Sequence, residues 1–233
     1  MYPVSASSFM KVSILAVFAS LSATSTFAAD EKPVEAKIEK KAKSGKAGKA
    51  SKKEAGSEAK VAFDPSASVV KWAGEKVTGK HDGEIKLKSG ELLMSGKEVK
   101  GGEFVLDMAS ITDADIKDPE YNKKLITHLK SDDFFNVEKF PTANLKIKKV
   151  TSVEGFVGPT FKIVADLTIK GKTNEIEFPA VVDTKEGKTT ATANITIDRT
   201  KWDIKYGSGK FFTGLGDKVI KDDFKIDVAL ATK

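Results

Sequence analysis

His81 and His128 are the only histidines of the chain, and Arg199 is its only arginine. Asp132, Asp133 and Glu138 follow His128 closely. That spacing offers an acid–base pair to a hydrolase or isomerase acting on a lipid through His128 with Asp132 or Asp133. It also places His128 and Asp132 four residues apart at a helix end, where the two would simply pair with each other. No Gly-x-Ser-x-Gly elbow supplies a nucleophile. Cysteine is absent, which excludes thiol nucleophiles, disulfides, iron–sulfur clusters and Cys-ligated zinc. Arg199 offers a planar fork suited to a structural tie with a carboxylate or to a ligand head group.

Three glycine-bearing stretches resemble ligand loops and fail on chemistry. Gly74-Glu75-Lys76-Val77-Thr78-Gly79-Lys80 ends in His81, where a phosphate loop needs a Ser or Thr hydroxyl for magnesium, and no helix follows it. Gly171-Lys172-Thr173 lacks the first glycine of that motif. Gly207 to Gly216 has no dinucleotide spacing and reads as a flexible loop presenting Phe211 and Phe212. Asp113, Asp115 and Asp118 lack the glycine of a calcium loop; they precede and cap a helix beginning at Pro119. No metal or cofactor is expected.

Charge divides the chain. The 233 residues carry a formal +6, yet residues 30–60 hold ten Lys against six acids and residues 61–233 hold 28 bases against 27 acids. A near-neutral domain with one arginine is poorly suited to reading nucleic acid. Residues 10–29 place one lysine before the apolar run Val12–Ala19, with small residues at Thr26 and Ala28. This is the pattern of a secretory signal over residues 1–28, with Met10 an alternative start to Met1 and no membrane span expected after cleavage. Residues 29–60 read as a disordered Lys/Ala-rich spacer able to touch anionic envelope surfaces. The product is expected in the periplasm or outside the cell.

The elements that must position the remaining residues are strands. From residue 61 hydrophobicity alternates with period two, as in Phe161/Ile163/Ala165/Leu167/Ile169, Ile176/Phe178/Ala180/Val182, Ala191/Ala193/Ile195/Ile197 and Phe224/Ile226/Val228/Leu230. Ser89-Gly90, Gly96-Lys97, Glu154-Gly155 and Glu186-Gly187 punctuate them as turns. Tyr121, Leu125 and Leu129 lie on one stripe of a single helix after Asp118-Pro119. The expected fold is all-β, one antiparallel barrel or sandwich over 61–233 with a short helical insert.

Four blocks then carry a resemblance. His128-Leu129-Lys130-Ser131-Asp132-Asp133-Phe134-Phe135-Asn136-Val137-Glu138-Lys139-Phe140-Pro141-Thr142 is similar to the signature of the YceI-like family of exported bacterial lipid-binding proteins. Asp166–Gly171, Ile197–Ile204 and Leu215-Gly216-Asp217 are similar to its later blocks, in the same order and spacing. Asp198, Trp202 and Asp203 depart from the family's commoner Asn-Arg-x-x-Phe-Gly form. The resemblance implies an eight-stranded, lipocalin-like barrel whose lumen binds an isoprenoid lipid, a quinone or polyprenyl type, for transport or storage and without catalysis.

On that reading Phe104, Leu106 and Met108 face the lumen from one strand, and Phe161, Ile163 and Leu167 from another. Leu145, Ile147 and Ile195 join them from neighbouring strands. Leu129, Phe134, Phe135 and Phe140 approach from the signature block, and Trp202, Phe211 and Phe212 from the late loop. His128, Lys130 and Lys210 are the head-group candidates at the mouth. Ala143, Ala165, Ala180, Ala191, Ala193 and Val182 leave room among the larger side chains. An eight-stranded barrel is wide enough to be packed solid or to hold one ligand, and the residues alone leave both open.

Overall fold

The computed structural model describes residues 58–154 and 160–233. The expected leader, both candidate starts and nearly all of the Lys-rich spacer lie outside these residues, as does Gly155. The spacer boundary moves: Glu58–Lys60, assigned to it above, open the first strand.

The strands are β1 (Glu58–Ala62), β2 (Val69–Lys76), β3 (Gly79–Glu84), β4 (Lys86–Ser95), β5 (Glu98–Asp107), β6 (Thr142–Val153), β7 (Thr160–Ile169), β8 (Lys172–Lys185), β9 (Lys188–Asp198) and β10 (Ile220–Ala231), with one helix, α1 (Pro119–Lys130). All pairings are antiparallel, in the order β1-β4-β5-β6-β7-β8-β9-β10-β2-β3. The expectation of eight strands becomes ten because two strands are interrupted. Ile85 divides β3 from β4, so one bent strand pairs with β2 in its first half and with β5 in its second. β1 and β2 both run antiparallel to that bent strand, separated by residues 63–68. The Ile85 amide donates to the Val70 carbonyl at 2.9 Å, which carries β2 across the bend. The sheet thus curls back on itself as a barrel.

The outer edge of β3 does not stay open. The amides of Thr112 and Ala114 donate to the carbonyls of Glu84 (2.9 Å) and Asp82 (2.8 Å), and the Trp72 indole donates to the Thr112 carbonyl at 2.9 Å. This close approach requires Gly83: a Cβ there would lie 1.9 Å from the Thr112 carbonyl oxygen. Covering an edge in this way satisfies its backbone groups and removes a template for aggregation.

Of the expected turns, Gly96-Lys97 joins β4 to β5, and Glu186-Gly187 joins β8 to β9 with both residues at positive φ (51° and 78°). That pair of left-handed residues matches the twist of a tight hairpin. Ser89-Gly90 is no turn. It lies inside β4 at a register shift, and Gly90 is needed because a Cβ would meet the Phe104 ring at 2.6 Å. A local Gly signal cannot distinguish a turn from a bulge or a close contact in a strand.

Helix α1 begins as expected. The Asp118 carboxylate accepts from the amides of Glu120 and Tyr121, and Pro119 occupies the first turn. The helix, the segment 131–141 and the segment 199–219 gather at one end of the barrel, where β5, β7 and β9 finish. Leu129 is buried and Leu125 partly so, but Tyr121 is 64% exposed. The apolar stripe is therefore two residues long, because the first turn of the helix stands clear of the barrel.

Candidate functional site

Inward alternation leaves a cavity of about 260 Å³ along the barrel interior, with walls almost wholly of carbon. Phe104, Leu106 and Met108 reach it from β5 and its end, Leu145 and Ile147 from β6, Ile163 and Leu167 from β7, and Ile195 from β9. Leu129, Phe134 and Phe135 close it from the helix-covered end. The small residues Ala143, Ala180, Ala191, Ala193 and Val182 also line it. They are the reason for the space, since each replaces a side chain that would meet its neighbours across the barrel. Ala165 is fully buried yet off the cavity wall.

Five expected lumen residues lie elsewhere. Phe161 is 4% exposed and sits at the start of β7, at the end of the barrel away from the helix. Phe140 rests on the β7–β8 turn, where a Cβ at Gly171 would come within 2.6 Å of its ring. Trp202 is 1% exposed, in the short 3-10 turn after β9, and its indole donates to the Leu167 carbonyl at 3.0 Å. Its polar edge is satisfied in the wall, off the cavity. Phe211 and Phe212 are each 48% exposed on the loop before β10. Their neighbouring amides both donate to the Ser208 carbonyl, a compact turn that carries the rings outward.

The head-group candidates also move. His128 Nε2 meets Asp133 Oδ2 at 3.0 Å, so Asp133 and not Asp132 is its partner. Its ring packs edge-on against Phe134 (4.9 Å) and Tyr206 (4.5 Å), outside the cavity wall. The Asp132 backbone carbonyl instead accepts from the Lys170 ammonium. Neither His128 nor Asp133 lines the apolar cavity, although Phe134, which the His128 ring touches, does. Lys130 ends α1 away from the cavity, and Lys210 is held between Asp198 and Asp222, 3.1 Å from each. Its charge is already matched.

The alternation in β8 and β10 marked further wall residues that entered no site assignment, Ile176, Phe178, Phe224 and Ile226, whereas Val70 of β2 was not singled out. Trp72 also lines the cavity from β2. Of the charged residues at its edge, Arg199 alone was singled out in the sequence. Glu75, Lys76, Lys221 and Arg199 meet it near the β2–β3 turn and the start of β10, with Lys221 salt-bridged to Glu75. Because the wall exposes almost no polar surface, these residues present mainly their carbon stems to it.

Arg199 is 5% exposed, and its guanidinium donates to four backbone carbonyls, those of Lys221 (3.1 Å), Ile204 (2.8 Å), Tyr206 (2.8 Å) and Ile220 (3.1 Å). The expected carboxylate tie is secondary, with Asp222 at 3.7 Å. Burial lowers the guanidinium from its ordinary value, opposed by Asp222 and Asp198. The side chain is a clamp joining the end of β9 to the start of β10.

One polar cluster touches the cavity edge through His81 alone. His81 Nδ1 lies 3.1 Å from Asp115 Oδ2, and Asp113 is close enough that the three could share a cation. Burial and the neighbouring Asp115 hold the Asp113 carboxyl above its ordinary value. Asp115 also feels burial, but its hydrogen bonds with Asp113, the Asp82 amide and His81 keep it below. The Ile116 amide and Asn122 donate to Asp113 Oδ1, so the cluster also fastens the segment before α1.

A family model described as the YceI-like domain matches residues 62–232. The crystal structure of BcnA from Burkholderia cenocepacia superposes with a TM-score of 0.59 at 19% identity, over 73% of this chain and 99% of that one. A polyisoprenoid-binding domain from Saccharophagus degradans, implicated in plant cell wall breakdown, superposes with a TM-score of 0.56 at 16% identity, over 75% and 98%. At these identities the likeness is one of fold. No curated protein sequence matches the chain.

Proposed function

The chain belongs to the YceI-like domain family, and from that premise we propose that it is a non-enzymatic binder of an isoprenoid lipid, which it carries or stores in the barrel lumen. The observation that carries this reading is the 260 Å³ apolar cavity enclosed by alternating strand residues. The polyisoprenoid-binding domain of Saccharophagus degradans, with the same fold, points to the same ligand class. Each buried methylene contributes about 0.8 kcal/mol, so one five-carbon isoprene unit contributes roughly 3–4 kcal/mol before ordering costs. Charge inside the lumen is not required for such a ligand. A volume just under the range of about 300–1,000 Å³ typical of small-molecule sites suits part of a prenyl chain, with the remainder of a long one outside. Lys76, at the cavity edge and without an ion pair to a described acidic residue, is the group there that a quinone or phosphate head would meet.

The leader-like residues 10–29 support export to the periplasm or beyond, and the lysines of residues 30–60 support contact with anionic envelope surfaces. Organic extraction and native mass spectrometry of the protein exported by its own host test the proposal. A stoichiometric prenyl lipid is the expected result. A protein that is consistently empty, or that carries only water-soluble compounds, overturns it.

A further inference from the structure

We propose that the loop Lys205–Val219, led by Phe211 and Phe212, docks the barrel onto an anionic lipid bilayer beside the charged end of the cavity. The inference rests on the lipid-cargo reading for its purpose, and on separate observations for its placement. Phe211 and Phe212 are 48% exposed, Tyr206 44% and Val77 63%. All four lie at the end of the barrel covered by the helix. The Val77 amide donates to the Val219 carbonyl, and the Ile220 amide to the Gly207 carbonyl, so the β2–β3 turn and the aromatic loop are tied together. Glu75, Lys76 and Lys221, at the cavity edge, flank that junction.

Charge selects the partner. On the segment 199–221, Arg199, Lys205, Lys210 and Lys221 are matched by Asp222, Asp203, Asp198 and Glu75, which leaves Lys201 and Lys218. Lys76 and Lys80 add to the same end from the β2–β3 turn. Lys76, Lys80, Lys201 and Lys218 are exposed and form no ion pair with a described acidic residue, unlike Lys205, which bridges Asp203. Lys205 also lies over the Phe211 ring at 5.0 Å. Exposed aromatics and unmatched lysines at one end of a barrel are the composition of a surface that sits at the headgroup level of an anionic membrane: rings enter the interface while ammonium groups meet phosphates.

The test is co-sedimentation of the purified protein with phosphatidylcholine–phosphatidylglycerol vesicles and with phosphatidylcholine vesicles alone. The F211S/F212S variant is expected to lose about tenfold or more in partitioning onto the anionic vesicles, both rings lying outside the barrel core. The Lys-rich residues 30–60 are common to both proteins, so the ratio isolates the loop. A K201E/K218E variant is expected to weaken binding to the anionic vesicles alone. Equal partitioning of F211S/F212S and parent overturns the proposal, as does capture of a soluble protein by this loop with vesicles ignored. F212W gives a second readout: Trp72 and Trp202 are buried, so a blue shift of emission on anionic vesicles supports insertion and an unchanged spectrum counts against it. Bound prenyl lipid measured on the same samples separates the two readings. Lipid present with unaltered vesicle binding defeats docking alone, and lipid absent with vesicle binding lost in F211S/F212S defeats the cargo reading alone.

Discussion

The indole nitrogen of Trp202 lies 3.0 Å from the backbone carbonyl oxygen of Leu167, bridging the turn after β9 to the end of β7. Leu167 faces the cavity and Trp202 is buried behind it. Trp202→Phe keeps much of the apolar contact but removes the indole donor from that carbonyl. A loss of about 1–3 kcal/mol is expected in urea denaturation, with the identity of any bound lipid unchanged. A variant as stable as the parent would show that the hydrogen bond contributes nothing.

Ala193 lines the cavity opposite Ala180 in the β8–β9 ladder. Ala193→Phe would project a ring into open space, so stability is expected to change by no more than about 1–3 kcal/mol while bound lipid falls sharply. Phe161→Ala is the complementary case. Phe161 is buried off the cavity wall, and its truncation is expected to cost about 3–5 kcal/mol in the denaturant midpoint without displacing lipid from the folded fraction. The opposite pattern in extracted lipid per folded protein would place the ligand elsewhere.

Arg199→Lys retains charge and loses the fork. One ammonium cannot reach four carbonyls on Lys221, Ile204, Tyr206 and Ile220. Stability is expected to fall by about 2–4 kcal/mol, and amides of residues 204–221 to exchange with solvent faster than those of β6 and β7. Uniform exchange across the barrel would contradict the clamp.

Acid sensitivity has a local origin at Asp198. Burial acts to raise its carboxyl, but hydrogen bonds from the Thr200 hydroxyl (2.6 Å) and amide (3.0 Å) and from Lys210 outweigh burial and hold it below its ordinary value. The folded protein therefore binds fewer protons there than the unfolded chain. The associated stability is complete above the unfolded carboxylate value of about 4 and disappears as pH falls through the lower folded value. Asp113, held above its ordinary value, has the opposite sign. Asp198→Asn is expected to lower stability at neutral pH and to flatten its decline in acid. Parallel pH profiles of the melting temperature for parent and variant would rule out this contribution.

Much of the architecture was legible in residue order. A period of two places Ile163 and Leu167 of β7, or Phe178 and Ala180 of β8, on one face before any contact is known, because successive strand side chains point to opposite sides. Asp118-Pro119 announced α1 through the chemistry of a helix start. The signature block marked Phe134 and Phe135, which close the cavity, together with His128 and Phe140, which do not. Spacing along the chain contained no information on which aromatic rings of that block turn inward.

What the sequence by itself determined is a sheet with one apolar face, a helix near residue 119 and a charge division between spacer and domain. Only the tertiary structure decided that Arg199 binds carbonyls, that His128 pairs with Asp133 outside the wall, and that Trp202, Phe211 and Phe212 leave the lumen. The division is physical. Alternation follows from backbone geometry local to a few residues, whereas a side chain's partner depends on segments that meet only when the barrel closes, such as β7 with the turn after β9. Whether the interior is filled depends on the summed volumes of residues from every strand, and no single strand contains that sum.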